Sequence, residues 1–175
     1  MLNVALVGLP GSGKSTVAKH LSKRLGLALL DSDHEIECQL GCSISDYFSL
    51  HGETEFREVE AQMLNKLTSI DGVLSTGGGV VLLAVNREML RRQSFVIYLH
   101  STPHEVFKRI RHDRTRPLLQ VDDPLRRLEE LYIARDPLYR EVASVVVETG
   151  KPSVSSLVTL IISHLERACG PRSTG

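Results

Sequence analysis

Along the chain, short runs of consecutive apolar residues alternate with longer stretches in which apolar residues return every three or four positions. The short runs are 3–7, 28–30, 73–76, 95–99 and 143–148, and their largely apolar, β-branched character reads as strands buried in a sheet. The periodic stretches put Val17, Leu21 and Leu25 on one helix face, and Phe56, Val59, Met63, Leu64 and Leu67 on another. Leu125, Leu128, Leu131 and Tyr132 form a third such stripe, and Leu157, Leu160, Ile161 and Leu165 a last one. Strand followed by helix, repeated without internal repeats or long linkers, is the order a parallel sheet requires. The pattern predicts an α/β fold.

Capping and stop signals sharpen the boundaries. Gly26 stops the first helix, Ser32 with Glu35 reads as a capping box for a helix to Leu40, and Gly41 ends it. Ser43 or Ser45 opens the next helix, and a longer one covers roughly 53–69. Asn86 is read as the cap of a short helix to Arg92. Thr102-Pro103-His104-Glu105 combines an N-cap, a proline at the first helical position and a glutamate at N3, starting a helix to about His112. Residues 113–122 have no period and read as a loop, after which Asp123-Pro124 opens a helix to about Arg135 that Pro137 ends or kinks. A closing helix spans about 155–168. The 175 residues suit one domain over 1–170, with a mobile lid at about 112–123 and a disordered tail at 171–175.

Composition narrows the partners. The 21 basic and 21 acidic residues cancel, so no overall field favours nucleic acid or an anionic membrane, and any anion recognition must be local. No apolar run reaches the length of a bilayer span, and no basic region or cleavage site precedes the first strand, so a soluble, cytoplasmic monomer is expected. The three cysteines, Cys38, Cys42 and Cys169, suit a reducing compartment. His34, Cys38 and Cys42 recur every four residues, but Gly41 interrupts the helix and no fourth ligand is evident, which favours plain thiols over a metal site. His51, His100 and His164 have no partner visible in the sequence and are assigned no chemistry.

Candidate chemistry begins between the first strand and helix. Gly8-Leu9-Pro10-Gly11-Ser12-Gly13-Lys14-Ser15-Thr16 satisfies Gly-x-x-x-x-Gly-Lys-[Ser/Thr], in the strand-to-helix setting where backbone N–H groups and the positive helix end cradle phosphate. Lys14 then reaches the β- and γ-phosphates of a nucleotide and Ser15 binds Mg²⁺. A glycine turn with a solvated lysine is the bland alternative, and it places a cation at the wrong end of a helix dipole. Asp31 and Asp33 share one face at the end of the second strand, though Asp33 in a first helical turn also suits the dipole. Arg57 lies between Glu53 and Glu60 and is either a ligand group or a rung of a surface ion-pair ladder. Gly77, Gly78 and Gly79 let backbone approach a ligand, or make a turn that needs only one glycine. Arg114 and Arg116 are either solvated or close over a triphosphate. No apolar run ends in the aspartate that commonly holds magnesium, which makes Asp31 the substitute, and no Asn-Lys-x-Asp guanine motif is present.

Taken in order, the phosphate loop, Asp31-Ser32-Asp33, Phe56-Arg57-x-x-Glu60, Thr76-Gly77-Gly78-Gly79, Arg116-Pro117-Leu118-Leu119 and Arg135-x-Pro137-Leu138-Tyr139 resemble the shikimate kinases over about 3–152. The resemblance implies a three-layer α-β-α fold with a five-stranded parallel sheet, and transfer of the ATP γ-phosphoryl group to the 3-hydroxyl of shikimate. It implies that Asp33, Arg57, Arg135, Gly78 and Gly79 hold shikimate, with Glu60 orienting the arginines. Gly11, Ser12, Gly13, Lys14, Ser15 and Thr16 would hold the nucleotide, Ser15 and Asp31 the Mg²⁺, and Arg116 the phosphates from the lid. Lys14, Asp33 and Arg116 are the catalytic candidates, and Lys151 with Pro152 the adenine-side turn. Ala18-Lys19 departs from the Gly-Arg of many members. Kinases of similar architecture for gluconate or nucleoside monophosphates, and a non-catalytic nucleotide-binding module, are the alternatives.

Overall fold

A computed structural model describes residues 1–112, 121–150 and 153–170. Five strands, β1 (Asn3–Val7), β2 (Leu29–Asp31), β3 (Gly72–Ser75), β4 (Phe95–His100) and β5 (Val145–Glu148), form one parallel sheet in the order β2-β3-β1-β4-β5. The central β1 pairs with β3 (Ala5 opposite Leu74) and with β4 (Ala5 opposite Val96). Seven helices accompany it: α1 (Lys14–Leu25), α2 (Ser32–Leu40), α3 (Ile44–Thr68), α4 (Ala84–Gln93), α5 (Pro103–Ile110), α6 (Pro124–Val142) and α7 (Val154–Cys169).

The largely apolar strands acquire their meaning here, because successive side chains point to opposite faces and both faces are covered. Val4, Leu6, Val73, Ile97, Leu99 and Val147 pack beneath α1 and α7. Ala5, Val7, Leu74, Val96 and Tyr98 face the opposite way, against residues of α3, α4, α5 and α6. The result is three layers, α-β-α, as expected. The connection from β1 runs to β2 on one side and that from β3 crosses β1 to β4 on the other, so the carboxyl ends of β1, β3 and β4 border the crevice where ligands gather in such sheets.

Several boundaries differ from the expected ones. The cap of α2 is Asp31, whose Oδ1 accepts from the His34 N–H at 3.2 Å, and Ser32 is the buried first residue of the helix. Neither the Ser32–Glu35 box nor a cap at Asp33 is formed. The two helices expected on either side of residue 52 join as α3, broken at Gly52 (φ 86°, ψ 171°). Asn86 lies inside α4, fully buried, donating from Nδ2 to the Val80 carbonyl at 3.0 Å, while Leu83 holds the cap position. α6 passes through Pro137 to Val142, since the buried Leu131, Tyr139 and Val142 anchor both halves in the core. The Thr102–Glu105 capping box forms as expected.

Candidate active site

The loop between β1 and α1 ends at Gly13, the N-cap of α1, which sits at φ 94° where a side chain would be strained. No side chain caps α1 and no acidic residue occupies its first turn, so its leading N–H groups and positive dipole end face the cleft undiluted. Lys14 is not a solvated lysine. It is buried, and its Nζ donates to the carbonyls of Gly8 (2.7 Å) and Leu9 (3.0 Å), drawn across its own loop. The Ser15 and Ser75 hydroxyls stand 3.5 Å apart, and the buried Ser12 Oγ has no hydrogen-bond partner in the structure.

A cleft of about 470 Å³ joins this loop, through Lys14, Ser15 and Thr16, to the Asp31–Asp33 strand end and to Gly77 and Gly78. Asp33 is exposed to the open cleft, with Lys14, Asp31 and Arg57 near enough to act on its charge. Desolvation and the neighbouring Asp31 charge raise its pKa above the ordinary value, while Lys14 and Arg57 pull it down by less. The Ser15 hydroxyl and the Asp31 carboxylate face the same cleft, a set of hard oxygen donors of the kind Mg²⁺ accepts.

Arg57 does not belong to a surface ladder. Its Nη1 lies 2.8 Å from Glu60 Oε1, with the two side chains only 13% and 2% exposed, whereas Glu53 at 3.5 Å is 59% exposed. Burial keeps the Glu60 pKa above its usual value even against the arginine. A buried carboxylate bonded on one edge of a guanidinium fixes the direction in which the remaining N–H groups point. Arg135, half-buried on α6, belongs to the same corner, its charge acting on both Glu60 and Tyr139.

The glycine triplet is required position by position, and for lack of space rather than for backbone freedom, since none of the three has a positive φ. A Cβ at Gly77 would stand 2.9 Å from Asp33 Oδ1 and 3.1 Å from Glu60 Oε2. At Gly78 it would meet the Pro10 ring at 2.9 Å, and at Gly79 the Arg57 guanidinium at 2.5–2.7 Å. The turn reading, which needs one glycine, does not account for three.

Some participants were not legible as such. Arg109 donates from Nη1 to the Gly11 carbonyl at 3.0 Å and borders a second cleft of about 370 Å³ with Ser12, Thr16, Thr149 and Ser153. Tyr139 is fully buried, and its hydroxyl donates to the Gly78 carbonyl at 2.5 Å. Its ring lies 5.0 Å from that of Tyr98, whose hydroxyl donates to Asp136 Oδ1 at 2.7 Å. His100, assigned no partner from the sequence, sits between Glu148 (2.7 Å from Nδ1) and the Tyr132 hydroxyl (2.8 Å from Nε2). These pairs are far apart in the chain and carry no sequence spacing. Cys38, Cys42 and Cys169 are exposed, and among the described residues no group of three or more His, Cys, Asp or Glu could hold a metal ion. Arg116, Lys151 and Pro152 lie outside the described residues, as does most of the expected lid.

A parallel sheet with the phosphate loop after its central strand, opening into a cleft that runs on to Asp33 and the glycine turn after β3, defines a phosphate-loop kinase of small molecules. The family model for shikimate kinase matches residues 10–166. The chain belongs to the shikimate kinase family. It is 50% identical to the shikimate kinase of Burkholderia thailandensis over 95% of this chain and 91% of that one. It is 52% identical to that of Paracidovorax citrulli, over 95% and 93%. Among solved structures, a shikimate kinase from Acinetobacter baumannii in complex with shikimate superposes with a TM-score of 0.91 at 42% identity, covering 97% of this chain and 95% of the other. A gluconokinase from Sinorhizobium meliloti, at 17% identity and a TM-score of 0.58, shares the fold alone.

Proposed function

We propose that this chain transfers the γ-phosphoryl group of ATP to the 3-hydroxyl of shikimate, serving the synthesis of aromatic amino acids as a cytoplasmic monomer of one kinase domain. One observation carries the proposal: a single cleft runs from a phosphate cradle past Asp33 to Gly77 and Gly78, and the buried Arg57–Glu60 pair stands against the glycine triplet. That layout suits a hydroxylated acid presented to a nucleotide.

The chemistry follows from these positions. Polyphosphate binding draws Lys14 from its loop carbonyls toward the β- and γ-phosphates, and the α1 N-terminus receives the remaining charge. Ser15 and Asp31 would hold the Mg²⁺ of the nucleotide, which would supply charge neutralisation there. Arg57 and Arg135 grip the carboxylate of shikimate, and Gly78 and Gly79 bring backbone against its ring. Asp33 aligns the 3-hydroxyl and takes its proton as the oxygen bonds to γ-phosphorus and the bond to the β,γ-bridging oxygen breaks, releasing ADP. A carboxylate whose pKa is raised is the stronger base for that role. The purine occupies the second cleft, between Arg109 and Thr149. Arg116 acts from a lid at about 112–123, where closure keeps water from the γ-phosphoryl group.

Coupled measurement of ADP release with shikimate, gluconate, AMP or no acceptor tests the proposal. Turnover with shikimate alone is expected. Turnover with gluconate or AMP, or the same slow release with every acceptor, would overturn it.

A further inference from the structure

The segment after β3 contains a turn whose geometry runs against its own sequence. The Val80 N–H donates to the Gly77 carbonyl at 3.1 Å, closing a four-residue turn with Gly78 and Gly79 at its centre. Gly79 lies at φ −96°, ψ 6°, the third position of a type I turn. A glycine at that position favours type II, and the two types differ by rotation of the central peptide, here Gly78–Gly79, through half a turn. Two glycines make that rotation easier than any other pair would.

What opposes it is a bond from the core. Tyr139 is fully buried on α6, and its hydroxyl donates to the Gly78 carbonyl. A carbonyl cannot donate, so the hydroxyl proton is committed to it. In a trans peptide the C=O and the following N–H point in opposite directions, so anchoring the Gly78 carbonyl on Tyr139 turns the Gly79 N–H away from the core. Gly79 stands against the Arg57 guanidinium and Arg135 lies one turn before Tyr139 on the same helix, so this peptide edges the corner where the acid is held.

We propose that Tyr139 is a positioning residue that locks the 77–80 turn in its type I form, presenting an N–H rather than a carbonyl oxygen to the carboxylate of the acceptor. With the peptide rotated, an oxygen would face an anion, and binding of the acid would weaken with no change at the phosphate loop. The inference rests on the shikimate assignment above.

Tyr139→Phe keeps the ring and removes only the hydroxyl. Expected is a KM for shikimate raised about 5- to 10-fold, the scale of one hydrogen bond, with kcat within about 2-fold and KM for ATP unchanged. The methyl ester of shikimate, which lacks the anion, should show the same KM with wild type and variant. Tyr139→Met, which fills similar space, is measured alongside, with melting temperatures for both. An unchanged KM for shikimate, an equal rise for acid and ester, a parallel loss in every parameter, or failure of both variants to fold would overturn the positioning role in favour of plain packing. Wild-type protein that does not phosphorylate shikimate sinks the acceptor assignment instead, a result visible before any variant is made.

Discussion

At Asp33, stability and chemistry make opposite demands. Burial and the Asp31 charge raise its pKa above the ordinary 3.8, so between that value and the raised one the folded protein holds more protons than the unfolded chain. Stability therefore falls as pH rises through that window and stays lower above it. Asp31 caps α2, so Asp33→Asn removes no cap. We predict that Asp33→Asn lowers shikimate turnover ~100-fold or more, keeps nucleotide affinity, and melts higher than wild type at pH 7, the advantage vanishing below pH 3.8. Normal turnover in that variant would remove Asp33 from the mechanism. Gly79→Ala sets the opposite test, since its new methyl would stand 2.5–2.7 Å from the Arg57 guanidinium. Displacing a bonded arginine from a buried glutamate should raise KM for shikimate at least about 10-fold while leaving ATP binding intact, measured by steady-state kinetics.

Among the elements, α3 is the one with a break built in. Gly52 stands at φ 86°, and a methyl group there would meet no heavy atom within 4 Å, so the obstacle to a side chain is backbone conformation alone. Gly52→Ala should cost about 1 kcal/mol in urea unfolding, without loss of nucleotide affinity. The stop and start signals around this point were legible in the sequence, as were all five strands and the Thr102 cap, because each rests on local periodicity or local hydrogen bonds. Asn86 and the far half of α6 were not. Asn86 bonds a carbonyl of the preceding turn from inside its helix, and Tyr139 and Val142 hold α6 past Pro137 by burial that only the assembled core supplies. The phosphate loop could be read because its residue types and spacing are the chemistry. Nothing local in the sequence separates Arg57–Glu60 as a buried pair from a surface ladder, or joins Arg109 to Gly11 across 98 positions.

For the whole molecule, both ends of the cleft are built on the carboxyl edge of one sheet, so ligands bind the folded chain and not its unfolded form. Shikimate together with ADP, each at about 100 times its Kd, should stabilise the fold by about 2.7 kcal/mol per independent site, and gluconate should not. For a chain of this size that corresponds to roughly 5–10 °C per site in a thermal melt, and equal shifts with both acids would contradict the proposed specificity. The stacked Tyr98 and Tyr139 carry this one step further. The chain has no tryptophan and four tyrosines, so its near-ultraviolet spectrum comes largely from phenol rings, and two of these are fully buried, one bonded to the Gly78 carbonyl. Both phenols are held above the usual tyrosine range by burial, Tyr139 at about 12, and should deprotonate late in an alkaline titration. Circular dichroism between about 270 and 290 nm, where fixed tyrosines contribute, thus reports chiefly on the core beneath the glycine turn, the site proposed for the acid, with no label attached.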